Sequence, residues 1–123
     1  MTRTQEVLIF VRRGEEFLAL HRSPENDAYW HSAAGGVEEG ETYADAAVRE
    51  LREETGLAAE PQPLGSTFDY GGITVECFLV DAPDEWEPEL DWEHDDYRWC
   101  TATDAADLMH WPEPAAVLRG FAA

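Results

Sequence analysis

Glu50, Glu53 and Glu54 stand at i, i+3 and i+4 of a stretch with helical periodicity, so they share one helix face. Ala44, Ala47, Val48 and Leu51 recur at about 100° per residue and are expected to point the other way, into a core. Like charges so placed repel by about 0.2–0.5 kcal/mol per pair, and a cation would offset that cost. A hard divalent ion such as Mg²⁺ or Mn²⁺ suits carboxylate oxygens and is readily shared with substrate phosphates. It would neutralise charge on a phosphoanhydride and activate water. The competing reading is a solvated acidic face interleaved with Arg49 and Arg52.

The residues around these glutamates favour the first reading. Gly35 is followed after five residues by Glu41 and after seven more by Arg49-Glu50-Leu51-Arg52-Glu53-Glu54-Thr55-Gly56-Leu57. This spacing resembles the Nudix box, with every fixed position filled. The resemblance implies an α/β/α sandwich with a mixed β-sheet, and hydrolysis of a phosphoanhydride bond by water attack on phosphorus. It implies metal ligands at Glu50 and Glu54, with Glu53 as a further ligand or a catalytic residue. Arg49 matches a position that orients the glutamates by salt bridging. Gly35, Glu41 and Gly56 match structural positions, the glycines in keeping with their tolerance of positive φ.

Many members of that family take one more carboxylate from a loop before the last strand. Glu93 is the candidate here, as distal ligand or general base, with Glu89, Asp91, Asp95 and Asp96 as competitors in the same acidic loop. His94 either polarises water or is a surface histidine. Arg22 is a candidate for a substrate phosphate, which its planar fork suits. Tyr29 and Trp30 are candidates for contact with a base, one packing while the other lines a cleft. Phe68, Tyr70, Trp92 and Trp99 are further aromatic candidates, more often core than platform. His21 reads as a core or surface histidine, and His31 and His110 show no constellation. The run Ala28-Tyr29-Trp30-His31-Ser32 is similar to the segment before the box in the dATP and dihydroneopterin triphosphate pyrophosphohydrolase branch.

Positioning these residues needs a small set of elements. Val7–Val11 reads as a buried strand and Phe17–Leu20 as its hairpin partner. Tyr29–Ala34 reads as a short strand running into Gly35-Gly36. Thr42 caps a helix that Gly56 stops. Thr67–Tyr70 and Ile73–Val80 form a second hairpin around Gly71-Gly72, and Tyr97–Cys100 is the last strand. Short helices are expected near Asp104–Met109 and Pro112–Phe121. Strands alternating with helices point to an α/β domain.

The 123 residues suit one domain over 1–123. Acidic residues number 27 against 8 basic ones, all arginine, for a formal charge of −19. That surface repels nucleic-acid polymers and anionic membranes, which leaves a small nucleotide-like diphosphate or triphosphate as the expected partner. The acidity fits either an arginine-rich genome or a salt-loaded cytoplasm. No apolar run is long enough to span a bilayer and no signal-peptide layout is visible, so a cytoplasmic location is expected. Cys77 and Cys100 read as buried free thiols. Val117, Leu118 and Phe121 pack inward or against a second chain in a homodimer. The alternative to an enzyme is a catalytically silent module of the same fold that binds a nucleotide or a protein. An isoprenoid diphosphate isomerase on that fold is remote, since no cysteine lies near the box.

Overall fold

The computed structural model describes residues 4–122. Its sheet comprises β1 (Gln5–Arg13), β2 (Glu16–Arg22), β3 (Trp30–His31), β4 (Ala33–Gly36), β5 (Gln62–Tyr70), β6 (Ile73–Asp81) and β7 (His94–Cys100). Three helices flank it: α1 (Tyr43–Thr55), α2 (Ala102–Leu108) and α3 (Pro112–Arg119). The principal strand path is β3-β2-β1-β6-β5, with β4 pairing to β1 and β7 to β2. The β1–β6 pairing is parallel and the others are antiparallel, so the sheet is mixed.

Strand β1 reads as an unbroken apolar run because both of its faces are covered. Val7, Ile9 and Val11 point into a core shared with Ala46, Ala47 and Leu51 of α1. Leu8 and Phe10 point into the opposite core, shared with Ala105 and Ala106 of α2 and Leu118 of α3. The period-2 alternation of one strand thus feeds both layers of an α/β/α sandwich. Val117 and Phe121 pack against this second core, with the Phe121 ring 5.2 Å from that of Phe17, so the C-terminal apolar residues turn inward.

Helix α1 carries its own start and stop signals. The Thr42 side chain accepts from the Asp45 amide at 3.0 Å, and Asp45 accepts from the Thr42 amide at 3.1 Å. Gly56 ends the helix at φ 80°, donating its amide to the Arg52 carbonyl.

Several boundaries differ from expectation. The Tyr29–Ala34 strand is two strands, because Trp30–His31 pairs with β2 while Ala33–Gly36 crosses to β1. Strand β5 begins at Gln62, and its register with β6 shifts between Pro63 and Thr67, a bulge that the Pro and Gly residues hide from a pattern search. Strand β7 begins at His94, since pairing with β2 overrides the weak strand propensity of Asp95 and Asp96. The packed side of α1 is also rotated. Ala44 is exposed and Val48 half-buried, whereas Ala46, Glu54 and Thr55 are buried with Ala47 and Leu51. Cys77 is buried but Cys100 only half-buried, and both are free thiols. Among the described residues no helix is long and apolar enough to cross a membrane.

Candidate active site

One face of the sheet opens into a cavity of about 460 Å³. A cross-strand row supplies part of its lining: Gly36 of β4, Glu6 of β1, Val75 of β6 and Phe68 of β5 lie side by side in register. Glu50 and Glu54 of α1 line it, as do Arg22 and Glu93. Phe68, Tyr70 and Trp111 line it as well, with Tyr29 and His31.

Glu50 reaches the cavity because Gly35 of β4 has no side chain in the way. A Cβ at Gly35 would collide with the Glu50 carboxyl group. Arg49 organises the neighbouring acids. Its Nε and Nη2 donate to the two Glu41 oxygens at 2.8 and 2.9 Å, its Nη1 to Glu50 at 2.8 Å, and its Nη2 to the Gly36 carbonyl at 2.9 Å. This fork ties the helix to β4 and to the loop between them. The hydrogen bonds from Arg49 and from the Glu38 amide hold the Glu41 carboxyl down at about 2.

Glu54 is in the opposite condition. It is 3% exposed and accepts from the Ala34 amide at 3.3 Å. Burial first, then the hydrogen bond to Glu50 and its charge, lift Glu54 well above the ordinary carboxyl range. A buried carboxyl beside a half-buried one fits a bound cation, which would offset their charge.

Behind Glu54 lie two buried histidines. Asp91 accepts from His94 Nδ1 at 2.7 Å, and His94 Nε2 lies 2.8 Å from His31 Nε2 and 3.8 Å from Glu54. One proton serves the His31–His94 contact. Burial, followed by the adjacent His94 ring, pushes His31 down to about 3, so it is neutral at pH 7. His31, Glu54 and His94 offer ligand atoms within 4.8 Å of one another. Sequence reasoning found no constellation for His31, because its partner comes from β7 and only sheet pairing joins them.

The remaining candidates divide. Arg22 and Glu93 meet at 3.8 Å, and Arg22 also donates to the Asn26 carbonyl at 2.7 Å. Tyr29 faces the cavity and stacks on His110 at 4.6 Å. Trp30 does not line the cavity. It lies 4.9 Å from His21, with the Arg98 guanidinium 4.9 Å from its ring, because alternation sends it away from Tyr29 and His31. Glu53 also stands outside the lining, 3.4 Å from Arg49 and half-exposed. His21 is paired with Asp95 at 2.6 Å. Trp111 and Glu113 were not anticipated as cavity residues. They belong to the start of α3, whose docking over the sheet leaves no local trace beyond the helix-initiating proline.

The NUDIX domain description matches residues 2–121 of this chain. The chain belongs to the Nudix hydrolase family. Its Nudix box is the Gly35–Leu57 segment that carries Glu50 and Glu54 into the cavity. An octanoyltransferase of Myxococcus xanthus is 31% identical over 117 residues, 87% of this chain, and the chain spans about a third (33%) of that relative's length. The asymmetrical bis(5'-nucleosyl)-tetraphosphatase of Caenorhabditis elegans is 29% identical over 88% of this chain and 83% of its own length. The Escherichia coli dihydroneopterin triphosphate pyrophosphohydrolase structure shares the fold with a TM-score of 0.84 at 24% identity, covering 95% of this chain and 93% of that one.

Proposed function

We propose that this chain acts as a single Nudix domain that hydrolyses a phosphoanhydride bond in a nucleoside or pterin triphosphate, or in a related nucleoside diphosphate derivative. The observation that carries the reading is the Glu50–Glu54 carboxyl pair in a cavity that also has aromatic walls. A charged triphosphate and a flat ring need those two surfaces together. Glu50 and Glu54 would hold Mg²⁺ or Mn²⁺, with Glu53 as an outer ligand. When bound there, the cation supplies charge neutralisation at phosphate oxygens and a more acidic water.

The protein groups do the rest. Arg49 keeps Glu50 aimed past Gly35, and Glu41 keeps Arg49 in place. Arg22 presents its guanidinium to the phosphate end, where Glu93 beside it is placed to take a proton from the attacking water. Glu93 is favoured over Glu53 as base because it lines the cavity.

Product chromatography tests this reading. The protein is incubated with Mg²⁺ or Mn²⁺ and a panel of nucleoside triphosphates, dinucleotide polyphosphates, nucleotide sugars and dihydroneopterin triphosphate. The expected outcome is a monophosphate product from one class, abolished by chelator. Binding without product for every member would transfer support to a silent nucleotide-binding module.

A further inference from the structure

We infer that His31, His94 and Glu54 form a second cation site, which takes an imidazole-preferring divalent ion such as Zn²⁺ and shares Glu54 with the carboxylate site proposed above. The sharing rests on that proposal, whereas the histidine site does not.

The three side chains are buried and reach one place from three elements. His31 belongs to β3, His94 opens β7 and Glu54 lies in the last turn of α1. His31 Nε2 lies 2.8 Å from His94 Nε2, His94 Nε2 lies 3.8 Å from Glu54 Oε1, and all three atoms fall within 4.8 Å of one another. Tetrahedral ligands bound to zinc at about 2.0–2.1 Å stand about 3.4 Å apart. The triangle meets that spacing once the two imidazole edges part by about half an ångström and Glu54 closes by about one.

Two imidazoles in one cluster select the class of ion. Mg²⁺ favours oxygen ligands, whereas Zn²⁺ and Ni²⁺ accept imidazole readily. The support that a histidine ligand needs is also in place. Asp91 accepts from His94 Nδ1 at 2.7 Å, which fixes the tautomer and turns the Nε2 lone pair of neutral His94 towards His31 and Glu54. The proton between the rings then belongs to His31 Nε2. Its transfer to His31 Nδ1 frees the second lone pair and changes no charge. Glu54 and Asp91 together offset the two charges of the ion, so the buried assembly closes neutral. His31 and Glu54 both line the cavity, which gives the ion its way in. Glu54 drawn onto the imidazoles is lost to a cation on Glu50, and two neighbouring dications also repel. Filling one site therefore weakens the other, and the coupling is reciprocal.

The test adds Zn²⁺ alone, or Co²⁺ as its coloured stand-in, to the native full chain. Co²⁺ should develop the visible d–d bands of a low-coordinate ion with nitrogen ligands, and Zn²⁺ should bleach them. Imidazole ¹⁵N resonances of His31 and His94 should move on Zn²⁺ addition while those of His21 and His110 stay in place. Asp91→Asn should weaken Zn²⁺ binding in calorimetry by about tenfold to a hundredfold, as loss of a ligand's outer partner does, and His31→Gln by more. Zn²⁺ should weaken Mn²⁺ binding, followed by electron paramagnetic resonance, by about tenfold in the native protein and not in His31→Gln. Unmoved His31 and His94 resonances in the native protein would overturn the inference and leave the two rings a hydrogen-bonded brace. Zn²⁺ binding lost in Glu50→Gln but kept in His31→Gln would overturn it too, by placing the ion on the carboxylates. Unchanged Mn²⁺ affinity with Zn²⁺ on the histidines would overturn the sharing of Glu54. None of these readouts uses turnover, so failure of the hydrolytic reading would leave the histidine site to be decided by itself.

Discussion

Glu54 is a carboxyl group kept where a carboxylate is expensive. It is 3% exposed and shares its position with Glu50, so its ionisation is opposed by burial and by a like charge. Replacement by glutamine removes the ionisable proton while preserving shape. Glu54→Gln should lower kcat by about a hundredfold or more, with a thermal midpoint unchanged or raised. A variant retaining half its activity would refute the assignment. Glu41 shows the reverse electrostatics. Its folded-state carboxyl titrates at about 2, below the ordinary value of 4.5, so the pair with Arg49 stabilises the fold above the unfolded value. That contribution disappears as pH falls from about 4.5 towards 2. Urea titrations across this window should show stability falling with acid, and Glu41→Gln should flatten that limb.

At the scale of elements, α1 presents Glu50 and Glu54 correctly only if both of its ends stay fixed. Gly56 adopts φ 80°, and a Cβ there would lie 3.3 Å from the Glu89 side chain. Gly56→Ala should therefore cost about 1–2 kcal/mol, read as a lower urea midpoint at unchanged m-value. The same turn anchors the acidic loop, since the Glu89 amide donates to the Thr55 carbonyl at 2.8 Å. Strands β2, β3 and β7 act as a second unit. They bring Arg22, His31 and His94 together through pairing between segments far apart in the chain.

The whole molecule carries a formal charge of −19 and is expected to bind a polyanion. Uniform self-repulsion of this size destabilises the compact state and is weakened by salt. The thermal midpoint should rise as KCl is raised from low salt towards molar concentration. Indifference to KCl would rule out adaptation to a salt-loaded cytoplasm and leave the arginine-rich composition as a genomic trait. The local arrangement opposes the global field: of the few basic side chains, Arg22 lines the cavity and Arg49 hydrogen-bonds Glu50, which lines it too.

What the chain declared in one dimension was its local chemistry. The spacing from Gly35 through Glu41 to Gly56 is contained in one loop and one helix, where sequence separation becomes direction in space at about 100° per residue. Thr42 and Gly56 marked the ends of that helix by capping preferences that need no tertiary partner. The α/β class was likewise legible, because β1 and α1 have apolar patterns of their own periods. Tertiary structure decided the rest. It buried Glu54 and left Ala44 in solvent, since the packed side of α1 depends on how β4 passes over it. It turned Trp30 away and brought in Trp111 and Glu113. It joined His31 to His94 across 63 residues, through sheet register that no local pattern encodes.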